Sequence, residues 1–520
     1  MSSKRAKVLI ASSIWLFAAV LIAVVCKFWI FPANDADLAA EKEKARQQII
    51  KGTSSDSRYK HNVTFALDGF SGYAPERSQK FHDELARKSI KVALQDDGAN
   101  YQARLQSLMS GETQMAAFPL DALIVEIRAA QKSGADLSVM PSIVAICDET
   151  RGADAMVAYK KSVPSIDALN DSEIKFHLTA HSPSETLTRV VSSHFQLDEL
   201  GTDPSHAFVE ANGAAEVYDR YRKSDPNTKQ VFVMWEPYVT KALENPNMHV
   251  VVDSSRFKGY IVDAIVCSRD YLAKNPNVVK DVVESHLRAL HSYRNTMTKL
   301  VLEDAIKTDL TISEKQAEQL VEGVWWKNTL ENYSHMGVGS DRSLQHIEDI
   351  LTNLTDVLLT TGAIDKDPTD DRPNLLYYSK ILEDLEASGF HPSSEVIRDD
   401  TTVLAKLSDQ QWTKLDPLGT LDIDQLVFRR GSSNLESRSY RVLDELAEKL
   451  KTWPYAYLEI RGDGSRRGDP AANKQLAKER AESALSYLID KGVNSNRVRA
   501  IGIEPTGTTS VSFVLGQLPY

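Results

Sequence analysis

The feature that most constrains the fold is a regular alternation of short apolar runs with longer stretches of helical periodicity, which begins at Val63. The runs are rich in β-branched residues and read, in chain order, VTFALDGF, QMAAFPLD, PSIVAICDE, KFHLTA, QVFVMWEP, MHVVVDSS and VDAIVCS. Strands that alternate with helices predict an α/β fold with a mostly parallel sheet. We assign residues 61–390 to this part and expect its last third, from 275, to be mostly helical.

A second constraint is the uncharged run Val8–Cys26, whose 19 residues span about 28 Å as a helix, close to one hydrocarbon core. Basic residues precede the run and acidic residues follow it, which favours a cytoplasmic N-terminus. We expect a cytoplasmic tail and transmembrane helix at 1–34, and a helical or flexible linker at 35–60. A cleaved signal peptide is the alternative.

The last hundred residues have the pattern of a separate α+β unit, at 421–520. DQLVFRRGS and YAYLEIRG are predicted strands, each followed by an amphipathic helical stretch, and Gly492 follows the second helix at the position that commonly ends one. Residues 391–420 lose periodicity and are predicted to be a linker.

Composition and motifs exclude several classes of function. The net charge of −11, without a basic stripe, argues against nucleic acid as a partner. The sequence has no GxxxxGK[ST], GxSxG, HExxH or CxxC, so we expect a binding protein without catalytic residues, metal site or cofactor. Three cysteines are too few for a disulfide scaffold, and Cys147 and Cys267 are either two buried thiols or one disulfide.

Four segments of the α/β part carry a family resemblance. They are LDGFSGYAPERS, SGETQMAAFPLDAL, VMWEPYV and VDSSRFKGYIVDAIVCSRDYLAKNP. In this order they resemble periplasmic solute-binding proteins of the taurine, nitrate, alkanesulfonate and thiamine-precursor group, and DETRGADAMVAYK resembles the hinge of that family. The resemblance implies a two-lobed clamshell that holds its ligand between the lobes.

The resemblance also implies which residues contact the ligand. They are Gly72, Tyr73, Phe118, Pro119, Asp148, Ser182, Ser184, Trp235, Glu236 and Asp263. Tyr73 and Trp235 are alternatively core residues, and Glu236 is alternatively a helix cap. Acids together with helix N-termini favour a small polar or zwitterionic organic solute, with a transporter permease as a further partner.

A second family resemblance covers residues 421–515 and includes the segment RGDGSRRGDPAANKQLAKERA at 461–481. The positions Gly462, Gly468, Asn473, Leu476, Arg480 and Ala481 match the central motif of the OmpA-like peptidoglycan-binding domain. In that family an aspartate and the arginine hold the diaminopimelate group of peptidoglycan. Here Ser465 occupies the aspartate position.

The substitution leaves alternatives open at the wall-binding site. Arg480 is expected to pair with a carboxylate, Asn473 to open the helix, and Asp463 or Asp469 to supply the missing acid. The site either retains binding to the wall, binds it weakly, or is a scaffold.

Together these features predict a receptor in the inner membrane of a diderm bacterium. It would cross the membrane once, with a cytoplasmic N-terminus and its bulk in the periplasm. The alternative is an envelope scaffold whose clamshell no longer binds a solute.

Overall fold

Three β-sheets organise the part of the chain that the computed structural model describes, which comprises residues 59–307, 312–339, 343–391, 395–398 and 404–518. In that part no helix combines the length and apolar character needed to cross a bilayer. The predicted anchor at Val8–Cys26 and most of the linker at 35–60 lie outside the described residues. From His61 onward the chain forms one contiguous unit.

Fifteen strands build the sheets. They are β1 (His61–Leu67), β2 (Ile90–Asp96), β3 (Met115–Pro119), β4 (Ser142–Thr150), β5 (Asp154–Tyr159), β6 (Lys175–Thr179), β7 (Phe208–Ala211), β8 (Gln230–Trp235), β9 (Met248–Asp253), β10 (Val262–Cys267), β11 (Val324–Trp326), β12 (Asp416–Thr420), β13 (Tyr457–Gly462), β14 (Val498–Gly502) and β15 (Val511–Gln517).

The α-helices lie between the strands and cover the sheets. They are Ala74–Arg77, Gln79–Arg87, Tyr101–Ser110, Leu120–Lys132, Pro183–His194, Ala214–Arg222, Tyr238–Leu243, Arg269–Lys274, Pro276–Tyr293, Met297–Lys307, Glu314–Glu322, Thr329–His335, Ile347–Thr360, Lys380–Ala387, Asp409–Trp412, Ser437–Lys451 and Pro470–Asp490.

The first two sheets define two lobes. Lobe 1 contains a six-stranded sheet in the order β11-β4-β10-β3-β1-β2, and lobe 2 a five-stranded sheet in the order β7-β6-β8-β5-β9. Each of the seven predicted apolar runs overlaps one of these strands, which confirms the α/β prediction. The prediction of mostly parallel pairing is wrong for β10 and β5, which run antiparallel to both of their neighbours.

Two connections carry the chain between the lobes, and we call them the hinge. β4 continues into β5 through residues 151–153, and β9 leads back to β10 through residues 254–261. The backbone N–H of Gly152 donates to Ser254 Oγ at 2.7 Å, and that of Thr150 donates to the carbonyl oxygen of Ile261 at 3.0 Å. Hydrogen bonds therefore hold the two connections side by side.

The third sheet, in the order β12-β15-β13-β14, belongs to the C-terminal domain and corrects two predictions. DQLVFRRGS is not a strand, because it contributes only an isolated bridge between Phe428 and Leu435. Conversely β12 lies inside the predicted linker and pairs with β15. Pro417 and Gly419 have low strand propensity, so the sequence did not predict this strand. Both residues are tolerated because β12 is at the sheet edge.

Trp453 fixes the C-terminal domain to lobe 2 and to the hinge. Its indole is fully buried, and Nε1 donates to Nδ1 of His194 at 2.8 Å. The rings of Phe195 and of the hinge residue Phe257 lie at centroid distances of 5.3 and 5.4 Å from it. Burial lowers the pKa of His194 well below its usual value, so a neutral imidazole accepts from Trp453 and donates through Nε2 to the Tyr260 hydroxyl, 3.2 Å away.

We expect Trp453→Ala to detach the C-terminal domain from the hinge. Removal of a fully buried tryptophan costs about 3–5 kcal/mol. Calorimetry of the variant should show the C-terminal domain unfolding separately and at a lower temperature than lobe 2. Trp412→Ala is the matched control, because Trp412 packs on Tyr457 inside the domain and away from the hinge. Unfolding of the Trp453 variant in the same single transition as the unmodified protein would contradict this account.

Candidate functional site

A narrow cavity lies between the two lobes, beside the hinge. Its free volume is about 40 Å³, room for only a few water molecules. It is lined by Asp68, Phe70, Tyr73, Ala99, Tyr101, Pro119, Thr150, Asp154, Pro183, Trp235, Ile261 and Asp263. Most of the lobe 1 residues come from the carboxyl ends of β1 to β4, the edge at which ligands bind in α/β sheets.

Carboxylates give the cavity its charge. Asp68 is neutralised by Arg104, whose guanidinium lies 3.0 Å from it and also pairs with Asp97. Asp154 accepts a hydrogen bond of 2.9 Å from the Thr150 hydroxyl. Asp263 differs, because its Oδ1 is buried and has no hydrogen-bond partner among the described residues.

A second acid lies directly behind Asp263. Asp148 lies on β4, directly across from Asp263 on the neighbouring strand β10. Both carboxylate oxygens of Asp148 are buried without a hydrogen-bond partner in the described part of the chain. Burial, and then the nearby charge of Glu76, raise the pKa of Asp148 well above its usual value. Burial and the charge of Asp148 do the same to the pKa of Asp263, so the pair holds protons that isolated carboxylates would release.

Two polar contacts join the lobes directly. The Thr186 hydroxyl of lobe 2 donates to Asp121 of lobe 1 at 2.5 Å. Nδ1 of His181 lies 3.0 Å from Glu126, and this partner raises the pKa of His181. In this structure the two lobes are therefore held together by direct hydrogen bonds.

Among the predicted ligand residues, Tyr73, Trp235 and Asp263 line the cavity together with Pro119. Tyr73 and Asp263 are also hydrogen-bonded to each other, which moderates the raised pKa of the acid. Tyr73 is almost fully buried, so its packing role and its place at the cavity coincide.

Gly72, Phe118 and Asp148 lie outside the lining, contrary to their prediction as ligand residues. A Cβ at Gly72 would lie 2.7 Å from Asp148 Oδ2 and still closer to the Phe70 ring, so this glycine permits close packing behind the cavity. Phe118 is fully buried and stacks against Tyr101 at a centroid distance of 5.5 Å.

Ser182, Ser184 and Glu236 belong to helix starts rather than to the lining. Ser182 Oγ accepts from the backbone N–H of Ser184 at 3.2 Å, and Ser184 Oγ is buried without a partner in the described residues. Glu236 accepts hydrogen bonds from the backbone N–H and the hydroxyl of Thr240, at 3.2 and 2.8 Å. This is the helix-cap role that was predicted from the sequence as the alternative.

Sequence reasoning missed Asp68, Tyr101 and Asp154. Asp68 follows directly after β1, so the rule applied to Asp148 at the end of β4 would have identified it. Tyr101 follows β2 and Asp154 opens β5, and neither strand was among the predicted runs. Cys147 and Cys267 are two buried free thiols, which resolves the alternative left open by their spacing.

In the C-terminal domain, Asp463 stabilises a loop and does not replace the missing acid. Its oxygens accept hydrogen bonds from the backbone N–H of Thr506 at 2.8 Å and from the hydroxyls of Thr506 and Thr508. These bonds lower the pKa of the carboxyl to about 2 although burial opposes them. Since the group is 5% exposed, it is not available to a ligand ammonium.

The other predicted wall-site residues shape the loop before the helix Pro470–Asp490. Asp469, not Asn473, caps this helix by accepting from Ala471 N at 2.9 Å. Asn473 Nδ2 donates to the carbonyl oxygens of Ser465 and Arg467 at 2.7 and 2.9 Å and so fixes the loop. Ser465 Oγ accepts from Arg467 N at 3.0 Å.

Glycines let the strand ends lie against this helix. A Cβ at Gly462 would lie 1.9 Å from the carbonyl oxygen of Ala477, and one at Gly464 would lie 2.8 Å from that of Asn473. Both contacts are too close for any other residue, so Gly462 and Gly464 set the distance between loop and helix.

Arg480 is a partly buried cation at the predicted wall site. Its Nε donates to the carbonyl oxygen of Ser432 at 3.1 Å, and its guanidinium carbon lies 5.2 Å from the Phe428 ring centroid. No carboxylate in the described part of the chain forms an ion pair with it, since Asp469 caps the helix and Glu479 accepts from Gln475. The terminal nitrogens can therefore grip an external carboxylate.

Asp154 should make the stability of the clamshell depend on pH. Burial, assisted by Asp121 and Glu236, raises the pKa of Asp154 to about 7 against the opposing hydrogen bond of Thr150. The folded protein therefore binds this proton more tightly than the unfolded chain, and stability falls as pH rises from about 4 through 7. We expect Asp154→Asn to raise the melting temperature at pH 8 and to leave it nearly unchanged at pH 4.

Thermal unfolding at pH 4 and pH 8 measures this effect. Asp270→Asn, at an exposed position, is the charge-matched control and should follow the unmodified protein. Equal pH dependence of Asp154→Asn and the unmodified protein would show that Asp154 is ionised without penalty.

A protein-family model for the OmpA family matches residues 427–508. Over 78 residues, 15% of this chain, the sequence is 31% identical to a peptidoglycan-associated lipoprotein of Rhizobium meliloti and 28% identical to the peptidoglycan-binding protein ArfA of Mycobacterium tuberculosis. The match covers 44% and 24% of those proteins, so the chain spans less than half of each relative.

Solved structures with a similar fold include two periplasmic binding proteins. The nitrate-binding protein NrtA from Synechocystis PCC 6803 is 10% identical with a TM-score of 0.47, over 65% of this chain and 91% of that one. The aliphatic sulphonate-binding protein SsuA from Escherichia coli is 15% identical with a TM-score of 0.44, over 61% and 97%. Residues 427–508 thus match the OmpA family, and the two solved structures are similar to this chain in fold alone.

Proposed function

We propose that the protein is a receptor of the bacterial cell envelope. Its clamshell takes a small polar solute into the cavity between the lobes, and its C-terminal domain binds peptidoglycan. The observation that carries the proposal is the cavity itself, which joins residues of both lobes beside the hinge and is lined by Asp263, a buried acid whose Oδ1 has no hydrogen-bond partner among the described residues. A ligand held by both lobes would stabilise their closure.

Wall binding rests on Arg480 and on the fixed loop around Ser465. The guanidinium provides the bidentate grip for a peptide carboxylate, and the loop is held by Asn473. No acid at position 465 meets the ammonium group of diaminopimelate, so affinity for this group is expected to be lower than with an aspartate there. The relatives with peptidoglycan in their names support this part of the proposal.

The cellular setting follows from the sequence. The run Val8–Cys26 anchors the protein in the inner membrane, with both described domains in the periplasm. A transporter permease that recognises the closed lobes is the proposed partner, and the protein is a binding protein rather than an enzyme. Among the described residues, no group of three or more His, Cys, Asp or Glu side chains is arranged to hold a metal ion.

One observation favours an envelope scaffold as the second candidate. The cavity has room for only a few water molecules, and direct contacts already join the lobes. In a scaffold the closed clamshell would serve as a docking body for another protein.

Arg480→Ala should reduce wall binding more than tenfold. A charge-assisted bidentate pair contributes ~1.5–3 kcal/mol. The measurement is co-sedimentation of the full-length protein with purified peptidoglycan. Ser465→Asp should strengthen binding, because it restores an acid for the ammonium group.

Arg441→Ala is the matched control for this experiment, since Arg441 lies in the same domain and pairs with Glu445 at an exposed site. If the unmodified protein remains in the supernatant while Ser465→Asp pellets, the natural site has lost its function. If neither pellets, the domain is a docking surface and wall binding is wrong.

Solute binding should stabilise the clamshell. A ligand present at a hundred times its Kd adds about 2.7 kcal/mol to the free energy of unfolding. A thermal-shift screen of small polar solutes, read together with Trp235 fluorescence, measures this effect on the full-length protein. A broad screen without any shift, on folded protein, would favour the scaffold.

A further inference from the structure

We propose that the cavity between the lobes selects a small primary ammonium compound, and that Asp263 receives its charged group. The inference rests on the proposed receptor function and specifies the chemical class of the solute. It excludes the anionic class to which nitrate and sulphonates belong.

The first argument is the state of Asp263. Its side chain lines the cavity, the residue is 3% exposed, and Oδ1 has no hydrogen-bond partner among the described residues. A buried carboxylate oxygen without a partner is costly. An N–H donor that a ligand brings to the Asp263 carboxyl group would offset this cost.

The second argument is the charge balance. Asp68, Asp154 and Asp263 line the cavity, whereas none of its described lining residues is cationic. The nearest buried cations are already paired: Arg104 with Asp68 and Asp97, and Lys327 with Glu149 at 2.6 Å. Asp68 is paired with Arg104, and burial makes Asp154 and Asp263 hold protons more tightly than isolated carboxylates do. A cationic ligand would favour the charged forms of these two acids, whereas no described lining residue offers a positive charge to an anion.

The third argument concerns the helix Pro183–His194, whose N-terminus reaches the cavity. A helix N-terminus usually offers free N–H groups to an anion. Here Pro183 has no N–H, and the N–H of Ser184 is bonded to Ser182 Oγ at 3.2 Å. The N-terminus of this helix, which suggested an anionic or zwitterionic solute, therefore has no free N–H donor at its first two positions.

The remaining lining determines size and shape. Tyr73, Tyr101 and Trp235 contribute aromatic surface, which suits both an ammonium group and a short alkyl chain. A free volume of about 40 Å³ restricts the ligand to a few non-hydrogen atoms. Primary amines of this size donate several hydrogen bonds, as the acids at Asp154 and Asp263 require.

Calorimetric titration of the full-length protein in detergent tests the inference. The ammonium probes are methylammonium, ethylammonium and ethanolammonium chloride. The comparison probes are sodium nitrate, sodium methanesulfonate, glycerol and potassium and magnesium chloride. We expect saturable binding of at least one ammonium probe and at least tenfold weaker binding to Asp263→Asn, with Asp154→Asn as a second variant.

Asp270→Asn removes the same charge at an exposed site and should bind like the unmodified protein. Binding of nitrate, methanesulfonate, glycerol or a metal salt without binding of an ammonium probe would overturn the inference and leave the receptor function standing. Ammonium binding that is unaffected by both Asp263→Asn and Asp154→Asn would also overturn it. No binding of any probe by folded protein would overturn the inference and count against the receptor function as well.

Discussion

The hydrogen bonds that hold the two crossings of the hinge together are the constraint on which the rest of the structure depends. Ser254 Oγ receives the N–H of Gly152, and the N–H of Thr150 reaches the carbonyl oxygen of Ile261. Because β4 and β10 are thereby kept adjacent, Asp263 lies at the cavity with Asp148 beside it, outside the lining. The crossing at 254–261 also presents Phe257 to the C-terminal domain. One element therefore positions both the cavity and the C-terminal domain.

Docking of Trp453 on this crossing has a mechanical consequence. The C-terminal domain contacts lobe 2 through His194 and the hinge through Phe257, so it is expected to move with lobe 2 when the lobes open. The backbone N–H of Lys258 adds a bond of 2.8 Å to the carbonyl oxygen of Thr452. A domain held to the wall would thus hold lobe 2, and lobe 1 would be the part that moves.

Much of the fold could be predicted because buried strands have continuous apolar sequences. β4 and β8 are examples. The apolar sequence of each ends next to residues of the hinge or of the cavity lining. β2 was missed because IKVALQD alternates buried and exposed side chains at the edge of its sheet and resembles a helical stretch. Asp463 shows the limit most clearly. Its neighbours in the motif indicated a ligand site, but the threonines that engage it lie over forty residues away in the chain.

The most direct test of the central claim, that the hinge couples the cavity to the C-terminal domain, is a set of spin-label distances. Labels on introduced cysteines at Ser133 in lobe 1, Lys223 in lobe 2 and Asp490 in the C-terminal domain are all at exposed positions. Cys147 and Cys267 are buried, so only Cys26 needs replacement by serine. The account predicts one narrow distance between Lys223 and Asp490 under all conditions, and a distance between Ser133 and Lys223 that shortens and narrows when solute is added. A broad or solute-dependent distance between Lys223 and Asp490 would contradict it.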